Sequence, residues 1–193
     1  MDGVRADARR SIAAILDAGL AYAGANGDVN MARIAQDAGV GRVTLYAHFP
    51  SKEALVDALV RHAIDRAAAV LGAVDVERGP AGETLAALVA ESWQVLDNHR
   101  HLMVAGMRYL GPERMRTLHD PALAHVQRLV ARGRADGDIR ADLPADWLVT
   151  TVYTLLHAAA DEANAGRLDP AEAGRVLAAT IVAALQGPLR GPR

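Results

Sequence analysis

The chain has 193 residues, of which 51% are apolar and only 4% aromatic, and it contains no cysteine. Its 21 basic and 23 acidic side chains leave a formal net charge of −2, so any phosphate-binding surface must be a local patch. The missing cysteines exclude a disulfide framework and a thiolate metal site. Because alanine is abundant and aromatic residues are scarce, we expect an all-α fold.

The first predicted element is a helix over residues 7–25. Ile12, Leu16 and Leu20 lie at helical spacing on one face of it. An arginine-rich start followed by an apolar run also resembles a secretory signal, but Asp17 interrupts that run and the helical period favours an amphipathic helix. Other apolar runs, such as residues 176–185, are too short to span a bilayer, and we expect a cytoplasmic protein.

A second, short helix is predicted over residues 31–38, with Asn30 as its N-cap and Gly39 at its end. The next stretch, residues 43–49, alternates apolar and polar side chains with the period of a half-buried strand. No other run in the chain resembles a strand that could pair with it, and unpaired backbone groups are costly to bury. We therefore predict a helix over residues 42–49.

As a helix, this stretch places Leu45 and Phe49 on one face, towards the core, and small side chains on the opposite face. Small side chains let a helix approach base edges, and longer polar side chains at the margins, here Arg42, Tyr46 and His48, can reach phosphates. Two short helices joined by a tight turn match a helix-turn-helix.

Residues 34–55 (Ile-Ala-Gln-Asp-Ala-Gly-Val-Gly-Arg-Val-Thr-Leu-Tyr-Ala-His-Phe-Pro-Ser-Lys-Glu-Ala-Leu) resemble the DNA-binding signature of the TetR (tetracycline-repressor) family of bacterial transcriptional regulators. The similarity covers about residues 12–59, with the family's elements in order and in register. The chain departs from the pattern at Gly41, where Ser or Thr is usual, and at Val43, where Gly is common. The loop 27–30 also lacks the usual aromatic after Gly27.

The resemblance implies a homodimeric repressor that binds a palindromic DNA operator and is released by a small organic inducer. It places Arg42, Val43 and Thr44 near bases, and Tyr46, His48 and Lys52 on the DNA backbone. Asn30 and Arg33 are weaker candidates for DNA contact. The departures from the family pattern at Gly41 and Val43 leave open an alternative function. In that alternative the chain is a helical-bundle module that binds a small molecule or protein and has lost operator binding.

A long helix is predicted over residues 52–71, with Ser51 as its N-cap, followed by a linker rich in Gly and Pro at 72–82. Further helices are predicted at 83–98, 101–110, 121–135, 145–165 and 170–186, about nine in all. We therefore divide the chain into a helix-turn-helix domain at 1–50, a connecting helix at 51–71, and a ligand-binding and dimerisation domain at 83–193.

The helices at 145–165 and 170–186 are apolar nearly all round and suit a four-helix seam with a second copy of the chain. Side chains that combine apolar bulk with polar tips are candidates for a ligand pocket, although such residues at helical spacing are more often plain core. These candidates are Trp93, Met103, Met107, Tyr109, His125, Tyr153 and His157.

The remaining polar residues do not predict an enzyme. The sequence has no defensible Ser-His-Asp order, Gly-rich phosphate loop or HExxH motif. His99 and His101 point apart on a helix, and Asp161 and Glu162 add no ligand at a fixed spacing, so we expect no metal and no cofactor. An enzyme of the helical-bundle type is the third hypothesis.

Overall fold

The computed structural model describes residues 2–186, without the side chains of residues 2–5 and Val70. Residue 1 and residues 187–193, which the predicted first and last domains include, lie outside the described residues. The all-α fold is confirmed, since the described chain forms seven helices and no strand. The helices are α1 (Asp2–Asn26), α2 (Met31–Asp37), α3 (Arg42–His48), α4 (Lys52–Leu71), α5 (Ala81–Asp136), α6 (Ala145–Asn164) and α7 (Pro170–Gln186).

The seven helices described differ from the predicted count of about nine, because α5 continues through the breaks predicted after residue 98 and before Pro121. The break predicted after residue 110 is present as a kink at Gly111. Only Gly111 has non-helical dihedral angles inside α5, with φ 75° and ψ 171°, and Pro112 follows in a position that suits a first helical turn. The helix continues past Pro121, where a proline removes a single hydrogen bond. Leu123, Val126 and Leu129 are buried at helical spacing after it, and this burial outweighs the lost bond.

The chain divides into two compact units, each with its own buried residues. The first consists of the chain up to Asp65 together with His99–Leu118, and the second of Arg66–Asn98 together with the chain from His119 onward. In the first unit the side chains that α1 to α4 bury most completely are aliphatic, and each is worth about 1.5–3 kcal/mol of burial. They include Ile15, Ile34, Leu45, Leu55, Val56, Leu59 and Val60.

The second unit buries one face of α6 and one face of α7. Apolar residues of α5 before His99 and after Leu118 are buried in the same unit. Trp93 is its largest fully buried side chain, and the indole Nε1 donates a hydrogen bond of 3.0 Å to the carbonyl oxygen of Pro170. That bond satisfies the one polar group of the ring. None of the described helices combines the length and hydropathy needed to cross a membrane.

Candidate nucleic-acid interface

The helix α3 separates its residues into a core face and an outer face, as its sequence predicts. Leu45 is fully buried and Phe49, just past the helix, is nearly so. On the other side Val43 is 85% exposed and Tyr46 is 49% exposed. Val43 and Tyr46 lie three residues apart and so share an outer face that does not pack against the core.

The other predicted contact residues of α3 follow the same division. Arg42, Thr44 and Ala47 are exposed, whereas His48 is half-buried with its ring centroid 6.4 Å from that of Phe49. His48 thus belongs partly to the packing beneath the outer face. The outer face of α3 offers one guanidinium, one hydroxyl, one phenol and small apolar groups, a set suited to base edges and phosphates.

Gly41 precedes α3 and makes no side-chain cap, as the missing Ser or Thr predicted. Its φ of −68° and ψ of 149° are extended backbone that any residue adopts, so glycine is not required there. The turn before it does use a glycine, because Gly39 has a φ of 67°. A tight turn with few atoms therefore separates α2 from α3.

The helix α2 begins at a cap that the sequence predicts. Asn30 Oδ1 accepts the backbone N–H groups of Ala32 and Arg33, each at 3.1 Å, which confirms Asn30 as the N-cap. Arg33 is exposed, and its Nε lies 3.0 Å from Oδ1 of Asp37, one turn further along. The side chains of both DNA-contact candidates in this part of the chain therefore already hold a partner within α2.

Lys52 opens α4 beside another confirmed cap, since Ser51 Oγ accepts the N–H of Ala54 at 3.1 Å. The Lys52 side chain is half-buried rather than fully solvated. Its Nζ lies 3.4 Å from the hydroxyl oxygen of Tyr109 and 5.6 Å from the centroid of that ring. Tyr109 was expected to line a ligand pocket, and its contact with a DNA-contact candidate was not foreseen.

The seven ligand-pocket candidates are divided between the two units. Met103, which is buried, Met107, which is 49% exposed, and Tyr109 belong to the first unit. Trp93, His125, Tyr153 and His157 belong to the second. Their role in binding a ligand stays a prediction.

Tyr153 and His157 come together with a third ring, that of His119, in the second unit. The ring centroids of His119 lie 5.3 Å from Tyr153 and 4.9 Å from His157, and Tyr153 and His157 are 4.2 Å apart. The i,i+4 spacing of Tyr153 and His157 is visible in the sequence. His119 was missed because it lies on another helix, far away along the chain.

The other two candidates of the second unit have ordinary structural partners. Trp93 packs so closely to α7 that a Cβ added at Gly174 would lie 3.1 Å from its Cδ1. His125 lies with Nδ1 3.0 Å from Nη2 of Arg128. Burial, and then the charge of Arg128, lower the pKa of His125 below its ordinary value, so this imidazole is neutral at pH 7. Within residues 2–186, no three His, Asp or Glu side chains are grouped to hold a metal ion.

Comparison with known proteins gives one family match and many structural ones. Residues 15–59 match the family described as bacterial regulatory proteins, tetR family, and no curated protein matches the sequence. The fold is similar to that of the TetR transcription regulatory protein from Mycobacterium vanbaalenii, with 27% identity over 95% of this chain and 99% of that chain and a TM-score of 0.61.

Two further structures share the fold at lower identity. LfrR from Mycobacterium smegmatis, a TetR-like regulator in complex with proflavine, is 20% identical over 93% of this chain and 98% of its own, with a TM-score of 0.69. FadR from Bacillus subtilis, in complex with stearoyl-CoA, is 17% identical over 90% and 99%, with a TM-score of 0.74. At these identities the likeness concerns the fold alone.

Proposed function

We propose that this chain, whose residues 15–59 match the tetR family of bacterial regulatory proteins, is a homodimeric, ligand-responsive transcriptional repressor of that family. It binds a palindromic operator in double-stranded DNA through α3 and is released by a small organic inducer. It is a cytoplasmic protein with no enzymatic activity. In this proposal residues 1–50 bind DNA, residues 51–71 form the connecting helix, and residues 83–193 bind the ligand and form the dimer.

The observation that carries this proposal is the exposure pattern of α3. The helix buries Leu45 completely, whereas Val43, two positions before it, is 85% exposed and Tyr46 is 49% exposed, so one face packs in the core and the opposite face is open to contact. The outer face is narrow, carries small groups, and follows a tight turn after another short helix. This is the shape that enters a major groove.

Each exposed side chain of α3 has a role in this proposal. Arg42, Val43 and Thr44, at the start of the helix, approach base edges, where a guanidinium reads guanine and an apolar group meets a thymine methyl. Tyr46 and His48 hold the DNA backbone together with Lys52. Asn30 and Arg33 add weaker backbone contacts, because their side chains are engaged within α2.

A second copy of the chain pairs with α6 and α7. In α7 only one stripe is buried within the chain, at Ala173, Leu177, Ile181 and Leu185. Val176, Ala179 and Ala183 stay exposed on the same helix, and Trp147 at the start of α6 is 58% exposed. An apolar second face on both helices supports an interface between two copies, which would present two reading helices to one two-fold symmetric site.

Solved structures of the same fold with bound small molecules support release by a ligand. LfrR and FadR have been solved with proflavine and stearoyl-CoA, so proteins of this fold bind organic molecules of very different size. An inducer acts only if it binds the DNA-free and DNA-bound states with different affinity. The rings of Tyr153 and His157 are the first places to test, since they combine apolar bulk with polar tips.

Fluorescence anisotropy with duplexes from upstream of the chain's own gene tests the DNA-binding assignment. The double variant Tyr46→Ala, Lys52→Ala should weaken binding to every duplex alike, because it removes phosphate contacts. The single variant Arg42→Ala should instead reduce the difference between preferred and other sequences. Binding that is unchanged in the double variant would overturn the assignment.

A further inference from the structure

Three polar side chains of the first unit form a chain of hydrogen bonds beside the DNA-reading elements. Asp28 lies in the loop between α1 and α2, Lys52 is the first residue of α4, and Tyr109 lies in α5. The Tyr109 hydroxyl donates to Oδ1 of Asp28 at 2.8 Å. Its oxygen lies 3.4 Å from Nζ of Lys52, at the long limit of a hydrogen bond.

Asp28 is the strongly held member of this chain, and Lys52 the weakly held one. The Asp28 carboxylate also accepts the N–H of Val29 at 2.7 Å, and Nη1 of Arg108 lies 3.8 Å from its Oδ2. The hydrogen bond from Tyr109, followed by that from Val29, lowers the pKa of Asp28, so the group is ionised at neutral pH. A negative charge therefore lies close to Lys52.

A carboxylate beside Lys52 competes with DNA for the same ammonium group. Both a carboxylate and a phosphate offer a negative oxygen, and an ammonium group forms its strongest hydrogen bonds to such oxygens. A neutral phenol is a weaker acceptor for Lys52 and a good donor for Asp28. With the phenol in place, Asp28 has a partner other than Lys52, and Lys52 loses little when it turns to a phosphate.

We propose that Tyr109 is a positioning residue of the DNA-binding surface, whose hydroxyl satisfies Asp28 and so keeps the Lys52 ammonium available to a DNA phosphate. The inference rests on the proposed function, in which Lys52 contacts the DNA backbone. It also gives a role to the unusual loop 27–30. That loop lacks the family's aromatic after Gly27, and it is tied to α5 through the carboxylate of Asp28 instead.

The test is a double-mutant cycle on DNA affinity measured at several salt concentrations. Tyr109→Phe keeps the ring and removes only the hydroxyl. It should weaken binding about three- to tenfold for all duplexes and reduce the slope of log K against log salt by up to about 0.9, the value for one phosphate contact. In the Lys52→Ala background the same change should have no further effect on affinity. Adding Asp28→Asn to Tyr109→Phe should restore affinity, because the competing charge is gone.

Tyr22→Phe is the matched control, since it removes a phenol hydroxyl from α1 of the same unit and should leave DNA affinity unchanged. If Tyr109→Phe binds like the wild-type chain at every salt concentration, or weakens binding equally with and without Lys52, the inference is wrong. The inference is also wrong if Asp28→Asn combined with Tyr109→Phe does not regain DNA affinity, because the loss of affinity would then come from altered packing of Tyr109. A wild-type chain that binds no duplex would instead contradict the proposed function.

Discussion

Arg114 in α5 donates a hydrogen bond of 2.6 Å from its Nε to Oδ1 of Asp57 in α4. Asp57 also accepts Nη2 of Arg61 at 2.6 Å, one turn along its own helix. The bond from Arg114, ahead of that from Arg61, lowers the pKa of Asp57 below its ordinary value of 3.8. This pair and the Tyr109 contacts join the segment His99–Leu118 to α4 within the first unit.

The Asp57 carboxylate makes the stability of the fold depend on pH. Because its pKa is lower in the folded chain, its contribution is complete above its ordinary value of 3.8 and is lost as the pH falls towards its folded-state pKa. Asp57→Asn should therefore lower the unfolding midpoint at pH 7, and the difference from the wild-type chain should shrink below about pH 4.

Thermal melts followed by circular dichroism between pH 3 and pH 7 measure this difference. Asp65→Asn is the matched control, because Asp65 is an exposed carboxylate on the same helix. It should change the midpoint less at pH 7. A difference between Asp57→Asn and the wild-type chain that stays constant across the range would show that Asp57 does not carry the effect.

The partition of α3 predicts opposite results for two apolar residues only two positions apart. Leu45→Ala removes a fully buried side chain and should reduce the free energy of unfolding by about 2–5 kcal/mol. Val43→Ala changes a side chain that is 85% exposed and should alter stability by less than about 0.5 kcal/mol. It should nevertheless change the preferred DNA sequence. Urea unfolding and anisotropy on both variants measure the two effects, and a destabilised Val43→Ala would contradict the orientation of α3.

Gly133, near the end of α5, lies close to Ala81 at the start of the same element and to Ile139 in the loop that follows it. A Cβ added there would lie 2.8 Å from Cβ of Ala81 and 2.7 Å from Cδ1 of Ile139. Ala81 is buried and its Cβ cannot turn away, so Gly133→Ala should destabilise the fold by about 1–3 kcal/mol despite the better helix propensity of alanine.

Gly82→Ala is the matched control on the same helix. Its added Cβ meets only the side chain of Gln186, which is exposed and flexible. We expect a neutral or slightly stabilising change, of up to about 1 kcal/mol, from helix propensity. Urea unfolding compares the two variants, and equal stability would contradict the close approach at Gly133.

If α6 and α7 form the dimer interface, a charged side chain placed on α7 should reduce the mass of the assembly in solution from that of a dimer to that of a monomer. Sedimentation should find the wild-type chain as a dimer, and Ala183→Glu, which places a charge on the exposed face of α7, should shift it to the monomer. Ala13→Glu introduces the same charge at an exposed position of α1 and should leave the dimer intact. A wild-type monomer at micromolar concentration would exclude the interface.

Local patterns predicted much of this molecule, because helices are specified by nearby residues. The period of 3.6 residues placed Leu45 and Phe49 inside and Val43 outside, although the stretch alternates like a strand. Asn30 and Ser51 were recognised as caps, since the groups that they bind lie within three residues.

Contacts between distant parts of the chain could not be predicted. Tyr109 reaches Asp28 across 81 residues, and no local pattern encodes that pairing. The same holds for His119 beside Tyr153 and His157. The unbroken helix through Pro121 was missed for a related reason, because burial of side chains further along α5 outweighs the local preference of proline to end a helix.

Selection from a pool of randomised DNA duplexes, followed by sequencing, tests the central claim most directly. The wild-type chain should enrich a two-fold symmetric sequence, and Arg42→Ala should enrich the same half-sites with relaxed preference at one or two positions. Tyr46→Ala with Lys52→Ala should enrich the same sequence at lower recovery. A pool that stays unenriched with the wild-type chain at low salt would contradict the account and favour a helical module that binds a small molecule or protein without reading DNA.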